Sequence, residues 1–217
     1  MSFLAEKKLV LDFYNALQAS GLKNTTEVLS EYCSDDYVWR GFHPFNEIKD
    51  RETVCEIFWK PLKSSLSSLT RRMDIFFAGN NSILGHEGTW VASMGHLMGL
   101  FDKPWLSISS TNKLTFLRYA EFNKVVSNKI VETAMFFDIP HFMIQAGLSP
   151  FNYQTGAHLV QPGPSSHDGL LFDEQDDLET LKTKKIIEDM ISDLKVWKST
   201  DRKSLIEELK KSWDKDM

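Results

Sequence analysis

Asp138 closes a run of residues whose types and spacing could do proton chemistry. From Asn128 to Leu148 the sequence reads NKIVETAMFFDIPHFMIQAGL. Residues 130–139 lack Gly and Pro and are rich in Ile, Val, Thr, Met and Phe, the composition of a buried strand. Alternation puts Ile130, Glu132, Ala134, Phe136 and Asp138 on one face and Val131, Thr133, Met135, Phe137 and Ile139 on the other. A carboxylate level with Phe136 and followed by Ile139-Pro140 has three fates: exposure, pairing, or enclosure in an apolar pocket. Enclosure disfavours the charged form and makes a general base of an aspartate. The competing reading is that Asp138 caps a helix running from Pro140 to Gly147. His141 could face the same cavity as acid, substrate donor or partner of the aspartate, or be a structurally bonded histidine.

Other groups could build the walls of such a site. His43 precedes Pro44 at a strand end, where it could line a pocket mouth or sit in a turn. His96 lies beside Gly95 and Gly99 and reads the same way. Trp39, Trp59, Trp90 and Trp105 could stack on a planar substrate or pack in the core, and Phe136 shares the face of Asp138. The histidines show no i,i+4 pairs and the two cysteines no ligand spacing, so neither a metal nor another cofactor is expected. The glycines at 95–99 lack the Lys-Ser/Thr ending of a phosphate loop. Arg71-Arg72 reads as a solvated strand edge.

The elements that must position these groups follow from periodicity. An apolar stripe of Leu9, Phe13, Ala16 and Leu17, flanked by Val10 and Tyr14, predicts a helix over 5–19. Asn24 caps a second helix to about Tyr32, and a strand runs from Tyr37 to Phe42. A helix over 51–66 opens at Asp50 and is interrupted at Pro61. Strands follow at 73–78, 82–94, 114–123 and 129–138. The order predicts an α+β fold, a curved antiparallel sheet with helices over one face.

Bulk properties narrow the function. The chain has 217 residues, 42% hydrophobic and 25% charged, enough for one well-buried domain and a remainder. A net charge of −5 without a basic stripe argues against a nucleic-acid surface, and no apolar run approaches a membrane span. The opening MSFLAEKKLVLDFY reads as neither signal nor transit peptide, and two unpatterned cysteines suit a reducing cytoplasm. Domain organisation is expected as an α+β domain at 1–148, a Pro/Gly-rich linker at 149–175 and a charged helical extension at 176–217. Residues 184–194 echo residues 7–17, as if a second copy of the opening begins there.

Two clusters resemble a known family. His43-Pro44-Phe45-Asn46-Glu47, Phe58-Trp59-Lys60-Pro61-Leu62 and Arg71-Arg72-Met73-Asp74-Ile75 resemble the first half of SnoaL-like proteins, the polyketide cyclase branch of the nuclear transport factor 2-like superfamily. Asn128-Lys129-Ile130-Val131-Glu132, Phe137-Asp138 and Ile144-Gln145-Ala146-Gly147-Leu148 resemble that family's closing pattern. Pro162-Gly163-Pro164 with His167-Asp168-Gly169-Leu170 resembles the linker of longer members with two such domains. The strand departs from the family in carrying Ala134 where Trp is usual, and Ser107–Asn112 replaces a "G-I-P-x-T-G" turn. The resemblance implies a cone whose bent antiparallel sheet and helices enclose a pocket. It also implies an aldol-type ring closure with Asp138 as base.

The expected function is therefore a cofactor-independent small-molecule enzyme. Asp138 would abstract a proton beside a carbonyl, His141 would assist, and Trp39, His43, Trp59, Trp90, His96 and Phe136 would hold the substrate. The rival is a non-catalytic module on the same fold that binds a small molecule or forms a homodimer.

Overall fold

The computed structural model describes residues 3–150, 163, 166–196 and 201–213. Contacts divide the chain into two compact units, Phe3–Asp173 and a second from Glu174 onward. Helix α1 (Leu4–Ala19) buries Val10, Phe13, Tyr14 and Leu17, the i, i+3, i+4, i+7 face that its sequence dictates. Helix α2 (Thr25–Tyr32) leads directly into strand β1 (Cys33–Arg40), and β2 (Glu47–Ile48) folds back on it. Asp50 caps α3 (Arg51–Val54) by accepting from the Thr53 amide at 2.6 Å.

A π-helical turn, Cys55–Trp59, joins α3 to α4 (Lys60–Ser65). The chain is thus helical through Pro61, where a break was expected. The proline directly follows the π turn, whose wider winding interrupts the regular hydrogen-bond ladder at this point.

Strands β3 (Leu66–Asn81), β4 (Gly88–Phe101), β5 (Lys113–Val126) and β6 (Lys129–Phe137) complete a curved, open six-stranded sheet in the order β2-β1-β6-β5-β4-β3. All neighbouring strands are antiparallel except β1 and β6, which run parallel, so the sheet is mixed. The parallel pair arises because β6 returns beside β1 only after the α3–α4 segment and three long strands have intervened. Helix α5 (Ile139–Gln145) closes one end, with Phe142 wedged against Phe101 and Trp105.

Strand alternation divides the sheet into two faces. Tyr37, Trp39, Val91, Ser93, Leu97, Leu117, Tyr119, Glu121, Asn123, Thr133 and Met135 point inward with the buried face of α1. A register shift between Met73 and Ile75 changes the parity of β3, so Arg71 and Phe76 both reach the interior. Gly95 sits opposite this bulge, and a Cβ there would meet the Arg72 carbonyl oxygen at 2.0 Å. Only glycine lets the two strands approach that closely.

Residues 169–171 continue the sheet beyond β3. Leu170 bridges Phe76 in parallel, the Phe76 amide donates to the Gly169 carbonyl at 2.8 Å, and the Leu171 amide donates to the Phe76 carbonyl at 2.7 Å. Buried Lys7 of α1 donates to the carbonyls of Leu171 (2.8 Å) and Asp173. Within the segment expected as a linker, residues 151–162 and 164–165 lie outside the described residues. The second unit carries α6 (Asp177–Val196) and α7 (Arg202–Leu209), the latter capped by Asp201, with no residue of either helix buried. The Trp213 indole donates to the Met190 sulfur at 3.2 Å. No described helix is long and apolar enough to cross a membrane.

Candidate active site in the cone interior

The interior of the cone holds a polar cluster in an otherwise aromatic core. Arg71 of β3 donates through Nη1 to Glu121 Oε2 at 2.7 Å, and both side chains are nearly sealed from solvent. Asn123, two residues on and therefore on the same face of β5, donates to Glu121 Oε1 at 3.2 Å and to the Tyr14 hydroxyl at 2.9 Å. The Thr133 hydroxyl donates to Asn123 Oδ1 at 2.6 Å, and Ser93 Oγ lies 2.8 Å from the Tyr119 hydroxyl. The Arg71 guanidinium lies 3.7 Å from the Tyr14 ring centroid and 4.4 Å from that of Tyr119, a doubled cation–π contact.

Burial and neighbouring charge act on Arg71, Tyr14 and Tyr119 in this cluster. Burial alone would lower the Arg71 guanidinium, but Glu121 beside it, with Tyr119 and Tyr14, carries it above the ordinary arginine value. Burial, reinforced by Glu121, pushes the Tyr14 phenol well up, and burial also raises Tyr119 against the opposing pull of Arg71. Both tyrosines therefore hold their protons at physiological pH and can act as donors.

A cavity of about 20 Å³ opens beside the cluster, lined by Tyr14, Leu17, Gln18, Trp59, Lys63, Leu69, Arg71 and Leu97. That is room for one water molecule. Elsewhere in the interior Trp39, Phe45, Phe58 and Phe137 pack ring on ring, with centroids 4.8–6.2 Å apart.

The residues singled out from sequence fall in several places. Trp39 and Trp59 are inside, Trp39 in the ring cluster and Trp59 on the cavity wall. His43 is exposed in the β1–β2 loop. Trp90 and Phe136 face outward and line a groove of about 510 Å³ on the sheet's opposite side. His96 also lies on that outer face, 2% exposed, its Nδ1 3.0 Å from Arg72 Nη2 and 3.5 Å from Asp74 Oδ2. Burial first, then Arg72, lowers the His96 imidazole below its ordinary value.

Asp138 is the N-cap of α5: Oδ1 accepts from the His141 amide at 3.0 Å, while the Asp138 amide donates to the Arg118 carbonyl. Gln145 holds α5 to β5 by exchanging two hydrogen bonds with the Phe116 backbone, and its Nε2 is 3.4 Å from His141 Nδ1. Neither Asp138 nor His141 lines the interior cavity or the outer groove, and Glu121 borders the cavity only through Arg71 and Tyr14. The inward positions of β6 are Thr133, Met135 and Phe137, none of which can act as a base.

Arg71 corrects the sequence expectation of a solvated edge, since the bulge turns it inward beneath α1. Glu121 went unmarked although a signal was present. In LRYAEFN the positions level with Leu117 are Tyr119, Glu121 and Asn123, polar groups on a face that begins apolar. Among the described residues no group of three His, Cys, Asp or Glu side chains is placed to hold a metal ion.

Known structures give this architecture a context. IdmH, a candidate polyketide cyclase of Streptomyces antibioticus, superposes with a TM-score of 0.52 at 16% identity, covering 65% of this chain and 97% of that one. A candidate SnoaL-like polyketide cyclase of Jannaschia sp. CCS1 gives 0.51 at 15% identity over 69% and 95% of the two chains. AclR, a candidate hydroxylase of Streptomyces galilaeus, gives 0.50 at 18% identity over 70% and 87%. The fold is that of the SnoaL-like proteins, the cone of the nuclear transport factor 2-like superfamily. No family model and no curated protein sequence matches the chain, so the likeness is one of shape. The same fold carries candidate cyclases and a candidate hydroxylase, and the chemistry must be argued from the side chains.

Proposed function

We propose that this chain is a cofactor-independent small-molecule enzyme that moves a proton beside a carbonyl, as an aldol-type ring closure requires, with Glu121 as its base. The carrying observation is that Glu121 is the one fully buried carboxylate among the described residues and lies inside the cone between Arg71 and Asn123. Removing a proton next to a carbonyl needs a positioned base, a donor for the enolate oxygen and exclusion of water. Glu121 supplies the first, Arg71 and the protonated hydroxyls of Tyr14 and Tyr119 the second, and the ring-packed interior the third. A substrate would enter by widening the water-sized cavity at Arg71 and Trp59. Asp138, capping α5, is the competing base, with His141 at its side. The reducing cytoplasm suits Cys33 and Cys55, both buried free thiols.

The test is deuterium exchange at the α-carbon of small 1,3-dicarbonyl compounds, followed by proton NMR. Wild-type protein should accelerate exchange, Glu121→Gln should abolish it, Tyr14→Phe should weaken it, and Asp138→Asn should leave it intact. Loss in Asp138→Asn with retention in Glu121→Gln would transfer the role to Asp138.

A second reading is a non-catalytic module on the same fold, binding a small molecule or a second copy. It is favoured by the hydrogen-bonded closure of the Glu121 cluster, which leaves only about 20 Å³ beside it. Under that reading Trp90 and Phe136 provide recognition surface, and the wild-type protein shows no exchange activity.

A further inference from the structure

Near one end of the sheet, on the side away from Glu121, a ring nitrogen has no partner in the fold. Register sets Arg72, His96 and Arg118 side by side across β3, β4 and β5 on that side. His96 Nδ1 lies 3.0 Å from Arg72 Nη2, and a guanidinium can only donate. Nδ1 is therefore the acceptor, which puts the proton of the neutral ring on Nε2. That N–H is sealed from water and has no hydrogen-bond partner. A buried donor left unmet is costly, so this one calls for an acceptor from outside the fold.

The charges say what kind of acceptor. Arg72 is paired with Asp74 Oδ2 at 3.1 Å, whereas Arg118 makes no hydrogen bond or ion pair. Asp138 is level with Arg118, its amide donating to the Arg118 carbonyl, but its Oδ1 accepts from the His141 amide instead. One positive charge is left over, which a monoanion balances and a phosphate dianion overshoots. The β3 side of the row is closed, since Gly163 lies so near Asp74 that a Cβ there would meet Oδ1 at 2.7 Å. Nδ1 turns toward that closed side, so Nε2 is on the side of β5. Arg118, held by no partner, can turn to admit an oxygen beside it.

The row continues as an apolar stripe. The next positions on this side of β4 and β5 are Met98 opposite Phe116 and then Leu100 opposite Leu114. The two leucines are 43% and 59% exposed. At about 3.4 Å per residue the stripe from His96 to Leu100 runs about 14 Å, the length of a medium alkyl chain. A free guanidinium and an N–H donor at the head of exposed apolar surface are complementary to an amphiphilic acid.

We propose that this row binds a monocarboxylate with an apolar tail, one oxygen taken by Arg118 and the other by His96 Nε2–H, the tail lying over Phe116, Leu100 and Leu114. The site is separated from the cone interior by the sheet itself, so the inference stands whichever carboxylate acts as base.

The experiment is titration calorimetry of the full chain with decanoate, decanol and inorganic phosphate, joined to proton–nitrogen NMR of the histidine rings. Decanoate should bind one molecule per chain. Decanol, which lacks the charge, and phosphate, which lacks the tail, should each bind roughly tenfold more weakly or worse. Arg118→Gln should weaken decanoate roughly ten- to a hundredfold and leave decanol unchanged. NMR needs no variant, so it keeps the proposal testable if that substitution impairs folding: the His96 Nε2–H resonance should move when decanoate is added to the wild-type chain. Absence of decanoate binding, decanol or phosphate binding as tightly as decanoate, undiminished binding in Arg118→Gln, or an unmoved His96 resonance would each overturn it.

Discussion

The Arg71 guanidinium meets the Glu121 carboxylate at 2.7 Å inside a core where neither side chain has more than 6% of its surface in water. Removing one partner of a buried pair leaves the other charged and unsolvated, which costs about 3–5 kcal/mol. Glu121→Leu and Arg71→Met should each lower the unfolding free energy by that order. The double replacement should recover most of the loss, because a buried pair exchanged for apolar groups is close to neutral. Urea denaturation of the four proteins measures this. Additive losses would show that the two residues do not act as a pair.

Asp138 should separate capping from chemistry. Its carboxylate accepts from the His141 amide, a bond that an asparagine side chain can also accept and an alanine cannot. Asp138→Asn is expected to keep stability within a few tenths of a kcal/mol, while Asp138→Ala loses about 0.5–2 kcal/mol. Thermal melts of the two variants, read beside the exchange assay, distinguish a cap from a base.

His96 predicts a pH dependence with a definite sign. Its folded-state imidazole is held below the ordinary value by burial and by Arg72, with Arg118 acting the same way and Asp74 opposing. The unfolded chain therefore binds a proton in a window where the folded chain does not. Stability should fall as pH drops below about 6.5, the ordinary histidine value, until the folded-state value is reached. His96→Gln should flatten that part of the stability profile. An unchanged slope in the variant would assign the effect to other groups.

Lys63 closes the C-terminal end of α1. Its ammonium donates to the carbonyls of Leu17 (2.7 Å) and Ser20 (2.6 Å), the first of which also accepts from the Ser20 hydroxyl at 3.0 Å. Burial lowers the lysine from its ordinary value. Lys63→Met should cost about 1–3 kcal/mol, chiefly by leaving the Ser20 carbonyl without that donor. Amide exchange should locate the loss in the last turn of α1 and the following loop to α2.

The sequence and the structure agree best where strand composition is unbroken. Strands β5 and β6 were legible because they are rich in β-branched and aromatic residues, lack Gly and Pro, and are bounded by turns. Their ends in the structure differ from expectation by up to three residues. β3 was legible only from Met73, since LSSLTRR carries no alternation and the bulge after Met73 changes its phase. That shift is also why Arg71 read as surface. The parallel pairing of β1 with β6 has no local signature, because it joins segments about ninety residues apart through register alone. Asp138 was found by its position at a strand end, and both of its readings rest on that one position. Glu121 was passed over because one polar residue in an alternating strand looks like the solvent side until its neighbours Tyr119 and Asn123 are counted with it.

β3 is the last strand of the sheet, 16 residues long, and an unpaired strand of that length offers its amides and carbonyls to any extended chain it meets. Gly169 and Leu171 occupy Phe76 on that border, Phe172 lies 5.4 Å from the Phe76 ring, and Lys7 grips the carbonyls that follow. The segment therefore shields two backbone groups of that border, those of Phe76. Loss of it, or of the Lys7 grip, should expose them to strand pairing, read as concentration-dependent association of a chain that stays folded.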